Sequence, residues 1–211
     1  MSRRSFARIV SSALVTVWAV PTATEVMPVA FAEPCPDVEV VFARGTGEPS
    51  GVGGAGQAFI DSLTAQVSGK SVGVYPVNYP ATPNYVDSAR AGAADADAHI
   101  QNMAGSCPST KLVLGGYSQG AAVMDLTSNE LPARVGDHVA AVALFGNPSS
   151  SYSKQLSDNQ FPPVSSAYRP KTIDLCVPDD MICGEGGNIL AHLSYVPDVT
   201  NQAAASVAGR L

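Results

Sequence analysis

The chain has 211 residues, of which 45% are hydrophobic and 14% are charged, and its formal net charge is −6. This length and composition predict one globular domain and exclude an intrinsically disordered chain. An acidic chain without clustered Lys and Arg also excludes nucleic acid as a partner, because phosphate binding requires such clusters.

The first 32 residues are typical of a secretory signal peptide. Arg3, Arg4 and Arg8 form a basic head, residues 9–20 form an apolar run too short to span a bilayer, and residues 30–32 (Ala-Phe-Ala) offer a cleavage site. The paired arginines also fit the twin-arginine export route, so the route and the cleavage position stay open. We expect a signal peptide at 1–32, a domain at 33–211 and a secreted protein, extracellular or associated with the cell wall.

The rest of the chain alternates between strand and helix patterns. The expected strands are 38–43, 71–77, 111–116, 138–145 and 172–177, and the expected helices are 56–67, 85–103, 119–130 and 198–209. This alternation predicts crossover connections and a parallel sheet with helices on both faces. The expected fold class is α/β, a three-layer α/β/α sandwich around a five-stranded parallel sheet. Functional side chains are then expected in the loops at the carboxyl ends of the strands.

The pentapeptide Gly116-Tyr117-Ser118-Gln119-Gly120 lies between the third strand and the helix that follows it. In this context Gly-x-Ser-x-Gly is typical of a nucleophile elbow, a sharp turn that exposes the serine oxygen. The helix N-terminus adds free N–H groups and a positive dipole end beside it. We interpret Ser118 as a catalytic nucleophile, with a purely structural turn as the alternative. The N–H of Gln119 is the expected oxyanion donor.

A serine nucleophile needs a base and an orienting acid. His99 lies on the polar side of a helix and is expected at the surface, while His138 begins a strand and is expected to be structural. His192 follows the fifth strand, and the chain order Ser, Asp, His favours it as the base. Asp179 and Asp180 both follow that strand, and spacing alone does not choose between them. The aspartates set aside are those on a helix, in a polar insert and inside a strand: Asp125, Asp158 and Asp174.

Four cysteines follow the predicted signal peptide: Cys35, Cys107, Cys176 and Cys183. An even number in an exported chain indicates disulfides, and three pairings are possible. We prefer Cys176–Cys183, which would close a local loop, and Cys35–Cys107, which would join two neighbouring strand starts. Zinc is the alternative, but no Cys-x-x-Cys motif or paired histidine spacing supports it. We expect no metal and no organic cofactor.

A second glycine-rich motif, G-x-G-x-x-G at residues 51–56, precedes the first expected helix. A dinucleotide-binding fold would need this motif directly after the first strand and an acidic residue at the end of the second. Residues 44–50 intervene here and the second strand ends without an acid. We therefore interpret these glycines as a flexible approach to the cleft.

Four stretches together resemble the cutinase family of serine esterases, which are small α/β hydrolases. They are Phe42–Glu48, Gly116–Gly120, the Cys176-x3-Asp180-x2-Cys183 loop and Ala191–Tyr195. The resemblance runs through essentially the whole mature chain. It implies a catalytic triad of Ser118, His192 and Asp180, because the family places the acid four residues after the first cysteine of that loop. It also implies the same two disulfides.

The resemblance further implies that Thr46 is the second oxyanion donor, through its N–H and its hydroxyl. The family often has serine at this position, and threonine adds a methyl group. For Arg44 we expect a structural ion pair with Glu48. An orienting acid beside the base and preorganised donors for the oxyanion are the usual requirements of such a site.

The substrate walls are expected at residues 79–85 and 184–191, with no segment that could form a large lid. The expected apolar groove consists of Tyr85, Val177, Ile189 and Leu190. We expect a monomer that hydrolyses short- to medium-chain carboxylic esters of a lipid or polyester and contacts a lipid or polymer surface transiently. The alternatives are an esterase for acetylated polysaccharide and a non-catalytic secreted binding protein on the same fold.

Overall fold

The structure is a computed structural model that describes residues 34–211, so the predicted signal peptide lies outside the described residues. Five parallel strands form one sheet in the order β2-β1-β3-β4-β5. The strands are β1 (Val38–Ala43), β2 (Val72–Pro76), β3 (Lys111–Tyr117), β4 (Val139–Phe145) and β5 (Thr172–Leu175). The predicted five-stranded parallel sheet is confirmed, and β3 is its central strand.

Within residues 34–211, five α-helices connect or flank these strands. They are α1 (Gly53–Gln66), α2 (Tyr85–Ser106), α3 (Gln119–Glu130), α4 (Ser151–Leu156) and α5 (Asp198–Ala208). Four of them correspond to predicted helices, with ends that differ by a few residues. The short helix α4 was not predicted, because its sequence is polar and carries no apolar period.

Alternate residues of the buried strands enter two separate cores, one on each face of the sheet. On one face Val41 and Leu114 pack with α2 and α3, and on the other Phe42 and Val113 pack with α1 and α5. Phe42 is fully buried, and burying a side chain of this size contributes about 1.5–3 kcal/mol to folding. The two cores account for the near-continuous apolar strands and confirm the three-layer arrangement.

Two disulfides join the four cysteines. Cys35–Cys107 ties the segment before β1 to the segment before β3, with 5.6 Å between the Cα atoms. Cys176–Cys183 closes the loop after β5, with 5.7 Å between the Cα atoms. This is the preferred pairing of the sequence analysis. Within residues 34–211, no helix combines the length and the apolarity that crossing a membrane would require.

Candidate active site

Ser118 occupies the turn between β3 and α3 in a strained backbone conformation, with φ 57° and ψ −120°. A Cβ atom at Gly120 would lie 2.0 Å from the carbonyl oxygen of Ala43, and one at Gly116 would lie 2.1 Å from that of Gly120. Side chains are therefore impossible at both positions. The N–H of Ser118 donates to the carbonyl of Phe145 at 2.9 Å, which fixes the turn at the carboxyl edge of the sheet.

His192 and Asp180 form a buried pair at the same edge of the sheet. Nδ1 of His192 lies 2.7 Å from Oδ2 of Asp180, and Asp180 has no exposed surface. The other carboxylate oxygen accepts the N–H of Ile182 at 2.7 Å. Asp179 is exposed, so the structure brings Asp180 and not Asp179 to the imidazole.

The second imidazole nitrogen, Nε2 of His192, is buried and has no hydrogen-bond partner among residues 34–211. His192 and Ser118 line the same cavity. The structure therefore places both side chains at one site, with the nitrogen and the hydroxyl not joined by a hydrogen bond. Such bonds are often open in the absence of substrate.

Tyr117 and Gly146 hold the imidazole from two sides. The Tyr117 ring stacks on His192 with centroids 5.0 Å apart, and its hydroxyl donates to the main-chain carbonyl of His192 at 2.6 Å. Burial, with the charges of Glu48 and Asp180, raises the pKa of Tyr117 to about 12, which keeps this hydroxyl a donor. Gly146 has φ 58°, and a Cβ there would lie 2.6 Å from Cε1 of His192. Sequence reasoning did not find either contact, because both join segments far apart in the chain.

Tyr195 also contacts Asp180, and the sequence analysis assigned no role to this residue. Its side chain is buried, and its hydroxyl donates to Oδ2 of Asp180 at 2.7 Å. Position 195 falls inside one of the stretches that carried the family resemblance, but a single sequence does not show which atoms its hydroxyl meets. The Asp180 carboxylate therefore has three donors: the N–H of Ile182, the imidazole of His192 and the phenol of Tyr195.

Thr46 and Gln119 lie beside Ser118 and line the cavity. The hydroxyl Oγ1 of Thr46 is buried without a hydrogen-bond partner within the described part of the chain. The Gln119 side chain is fixed at both ends, because Nε2 donates to the carbonyl of Thr82 at 2.8 Å and Oε1 accepts from Ser88 at 2.9 Å. Its main-chain N–H belongs to the first turn of α3, where helix N–H groups lack helical partners.

The Thr46 loop is held by the carboxylate of Glu48, which accepts the N–H of Gly45 at 2.6 Å and the N–H of Gly54 at 2.8 Å. The predicted ion pair between Arg44 and this carboxylate is wrong. The guanidinium of Arg44 instead donates to the main-chain carbonyls of Glu48 and Tyr79, at 2.9 and 2.8 Å. The two N–H groups occupy the Glu48 carboxylate. The expectation that the glycines form a flexible approach to the cleft is wrong for residues 53–54, because these two residues begin α1 and Gly54 is bound to Glu48.

The cavity at this edge has a volume of about 420 Å³. Tyr85 and Ile189 line it as predicted, but Val177 and Leu190 do not. Val177 packs into the core on one face of the sheet, and Leu190 is 70% exposed. The further apolar residues that line the cavity include Leu156, Phe161, Ile182, Leu193 and Val196. Leu156 belongs to α4, so the polar insert that sequence reasoning left unassigned supplies part of the wall.

The other two histidines lie outside the cavity lining. His99 is half-buried rather than at the surface, because its ring stacks on Tyr75 with centroids 3.4 Å apart and its Nε2 lies 3.0 Å from Oε2 of Glu39. The expectation of a surface position for His99 is therefore wrong. His138 directly precedes β4, and its main-chain N–H donates to Val135 at 3.0 Å, which fits the structural role expected for it.

The chain is similar in sequence to known proteins. The family model described as Cutinase matches residues 34–211. Carboxylesterase Culp1 of Mycobacterium tuberculosis is 54% identical over 213 residues, which cover 100% of this chain and 98% of that protein. Phospholipase Culp4 of Mycobacterium tuberculosis is 50% identical over 187 residues, covering 84% of this chain and 80% of that protein.

A solved structure shares the architecture. Trichoderma reesei cutinase in complex with a C11Y4 phosphonate inhibitor matches with a TM-score of 0.69 and 37% identity, covering 83% of this chain and 77% of that one. The parallel sheet and the serine turn after its central strand are those of an α/β hydrolase. Within this class the chain belongs to the cutinase family, whose members are serine carboxylic ester hydrolases.

Proposed function

We propose that Ser118, His192 and Asp180 are the catalytic triad of a secreted esterase that forms an acyl-enzyme. The observation that carries the proposal is the buried His192–Asp180 pair, joined at 2.7 Å, in the cavity lined by a serine on a strained elbow. A buried imidazole with one nitrogen held by a carboxylate and the other without a partner, in a cavity that a serine also lines, is suited to general-base catalysis.

The reaction follows from this arrangement. The Ser118 oxygen attacks the ester carbonyl carbon while Nε2 of His192 takes the hydroxyl proton. The imidazolium then gives that proton to the departing alcohol as the C–O bond breaks, which leaves the acyl group on Ser118. A water molecule, activated by the same nitrogen, hydrolyses the acyl-enzyme. Asp180 keeps the proton of neutral His192 on Nδ1 and stabilises the imidazolium in both steps.

The oxyanion of each tetrahedral intermediate is stabilised by the N–H of Gln119 and by the N–H and hydroxyl of Thr46. The buried Thr46 hydroxyl, which has no partner among the described residues, supports this role, because an unpaired buried hydroxyl is costly unless it serves a ligand. Removing one such donor typically costs about 3 kcal/mol of transition-state stabilisation. The fixed Gln119 side chain and the Glu48 contacts keep both donors in place.

The substrate is a short- to medium-chain carboxylic ester of a lipid or polyester. The cavity is lined mainly by apolar side chains, which suits an acyl chain. The carboxylesterase and phospholipase names of the two relatives support an acyl ester substrate. The protein acts as a monomer outside the cell or at the cell wall, and the two disulfides support an oxidising compartment.

Hydrolysis of p-nitrophenyl butyrate by the purified protein tests the proposal. The Ser118→Ala variant is expected to lose nearly all activity, because it lacks the oxygen that attacks the ester carbonyl. Ser206→Ala, which changes an exposed serine on α5, is the control and keeps the wild-type rate. Equal rates in wild type and Ser118→Ala would contradict the proposal, and absence of hydrolysis in both would favour a binding protein. A series of acyl chain lengths extends the test, since preference for acetate would favour acetylated polysaccharide as substrate.

A further inference from the structure

We propose that Tyr195 is a positioning residue for the reaction, one that acts through Asp180 and keeps His192 in its neutral, basic form. The proposal rests on the triad of the proposed function and adds a fourth side chain to it. Tyr195 does not touch the reacting atoms. Its effect passes through the carboxylate that holds the imidazole.

The geometry gives Tyr195 a specific place on that carboxylate. Its hydroxyl donates to Oδ2 of Asp180 at 2.7 Å, and Nδ1 of His192 lies 2.7 Å from the same oxygen. The other oxygen, Oδ1, accepts the N–H of Ile182. The phenol and the imidazole therefore share one acceptor atom in a site without exposed carboxylate surface.

The surroundings of the phenol direct its proton toward Asp180. The N–H of Val177 donates to the Tyr195 oxygen at 3.3 Å, which occupies one of its lone pairs. Sγ of Cys183, also at 3.3 Å, belongs to a disulfide and carries no proton. Burial and the neighbouring Asp180 carboxylate raise the pKa of Tyr195, so the phenol stays protonated throughout the range in which an esterase works.

Two donors on one oxygen weaken each other, since each withdraws charge from the acceptor that the other uses. When His192 gains a proton, its bond to Oδ2 strengthens, and the competing phenol makes this gain smaller. Tyr195 thereby favours the neutral imidazole over the imidazolium, which is a hydrogen-bond effect on protonation. It also restrains rotation of the carboxylate, because the group has a donor besides the imidazole and the Ile182 N–H.

Other ionisable groups that face this cluster do not share the role. Tyr117 packs against both rings, with its centroid 5.8 Å from that of Tyr195, but its hydroxyl donates to a main-chain carbonyl. The Glu48 carboxylate, which acts on Tyr117 through its charge, is occupied by the N–H groups of Gly45 and Gly54. Among the described residues, Tyr195 is thus the tyrosine whose hydroxyl donates to Asp180.

The test is the pH profile of kcat/KM for p-nitrophenyl butyrate in Tyr195→Phe. The acid limb, which reports protonation of the free base, is expected to move to higher pH by about one unit. The plateau of kcat falls severalfold because the carboxylate is less restrained. KM stays near the wild-type value because the ring that lines the cavity is retained. A merely structural tyrosine would change the melting temperature without moving the limb.

Tyr168→Phe is the matched control, because its hydroxyl is also buried and has no hydrogen-bond partner within residues 34–211. Tyr168 lies in the core on the other face of the sheet, so the control profile keeps the wild-type acid limb. If Tyr195→Phe folds poorly, 3-fluorotyrosine placed at position 195 decides the question. As the stronger donor it should move the limb to lower pH.

The outcomes separate the two proposals. Full activity of Ser118→Ala would overturn the proposed triad and the role of Tyr195 with it. An inactive Ser118→Ala, together with an unmoved acid limb in both Tyr195 variants, would leave the triad intact and overturn the role of Tyr195 alone. Opposite shifts of the limb in the two Tyr195 variants would support it.

Discussion

At the scale of single residues, Asp125 shows that a buried carboxyl group in this fold need not be catalytic. It lies on α3 with 4% of its surface exposed, and its Oδ2 accepts from Nδ2 of Asn147 at 3.0 Å. Its Oδ1 has no partner among the described residues. Burial raises the pKa of Asp125 to about 7, far above its ordinary value of 3.8. Asp125 does not line the cavity around Ser118, so we expect its titration to affect stability and not catalysis.

We expect Asp125 to make the protein less stable as pH rises from about 4 to about 7. In this range the folded state keeps a proton that the unfolded state has released, so unfolding releases the proton and becomes easier at higher pH. The loss is on the order of a few kcal/mol, at ~1.4 kcal/mol per pH unit. Asp125→Asn keeps an oxygen for Asn147 and removes the titration.

Thermal unfolding between pH 4 and 8 measures this effect. The melting temperature of Asp125→Asn should exceed that of wild type near pH 8, and the two should converge near pH 4. Asp61→Asn, which changes an exposed carboxylate on α1, serves as the control and follows the wild-type profile. Parallel curves for wild type and Asp125→Asn would show that Asp125 does not titrate in this range.

Sequence patterns identify those site residues whose chemistry is local. The elbow around Ser118 has a spacing that only a sharp turn explains, and the order of Ser, Asp and His points to His192. The choice of Asp180 over Asp179 came from the resemblance, and the structure then shows Asp180 at the imidazole. The roles of Tyr195 and Glu48 were missed, because they depend on side-chain contacts that no periodicity encodes.

At the scale of elements, the loop after β5 that carries Asp180 is held twice. The Cys176–Cys183 disulfide closes it, and serines at the start of α4 bind its main chain. The N–H groups of Ser149 and Ser150 donate to the carbonyl of Ile182, both at 3.2 Å, and the hydroxyl of Ser150 donates to that of Met181 at 2.7 Å. Helix α4, which was not predictable from its polar sequence, thus forms because the loop supplies its partners.

The three inner strands β1, β3 and β4 were predictable because each is a nearly continuous apolar run that is buried on both faces. The ends of the strands and helices were less predictable. Strand β5 ends at Leu175 and not at 177, because the chain turns there into the disulfide loop. Helix α2 runs to Ser106, three residues beyond the predicted end, since it closes beside the Cys35–Cys107 bridge. Tertiary contacts therefore determine the boundaries that periodicity leaves open.

We expect the Cys35–Cys107 disulfide to matter more for stability and the Cys176–Cys183 disulfide to matter more for catalysis. In the chain-entropy model, Cys35–Cys107 spans 72 residues and stabilises by about 4 kcal/mol, whereas Cys176–Cys183 spans 7 and contributes about 2 kcal/mol. Replacing the first pair by serine should therefore lower the melting temperature more. Replacing the second should lower kcat more, roughly tenfold or beyond, because Asp180 is freed from its place.

Each double variant acts as the control for the other in this comparison. Melting temperature and kcat for p-nitrophenyl butyrate are measured for both, below the lower melting temperature of the two. A fall in kcat that tracks the loss of stability in both variants would show that the loop disulfide has no special relation to the proposed triad. A wild-type kcat in the variant that lacks Cys176–Cys183 would also contradict the prediction. It would show that the serine contacts from α4 hold Asp180 in place without the disulfide.

At the scale of the whole molecule, the cavity opens through an apolar rim, which we define as Leu156, Ile189, Leu193 and Val196. Each lines the cavity, and each is at least 41% exposed. Leu190 lies beside the rim and faces solvent. Apolar side chains gathered around the opening of a site indicate a surface that meets another apolar surface. This supports the proposed transient contact with lipid or polymer.

Leu190 permits that contact to be tested apart from the chemistry, because it is 70% exposed and does not line the cavity. Leu190→Ser should lower the rate on an emulsified triglyceride or a polyester film by about tenfold, since burying a leucine side chain contributes ~1.5–3 kcal/mol. Its rate on dissolved p-nitrophenyl butyrate should stay at the wild-type level. Val74→Ser, an exposed valine on the edge strand β2, is the matched control and should change neither rate. Equal losses on dissolved and insoluble esters would place Leu190 in substrate binding, and no loss on either would exclude this side of the opening from surface contact.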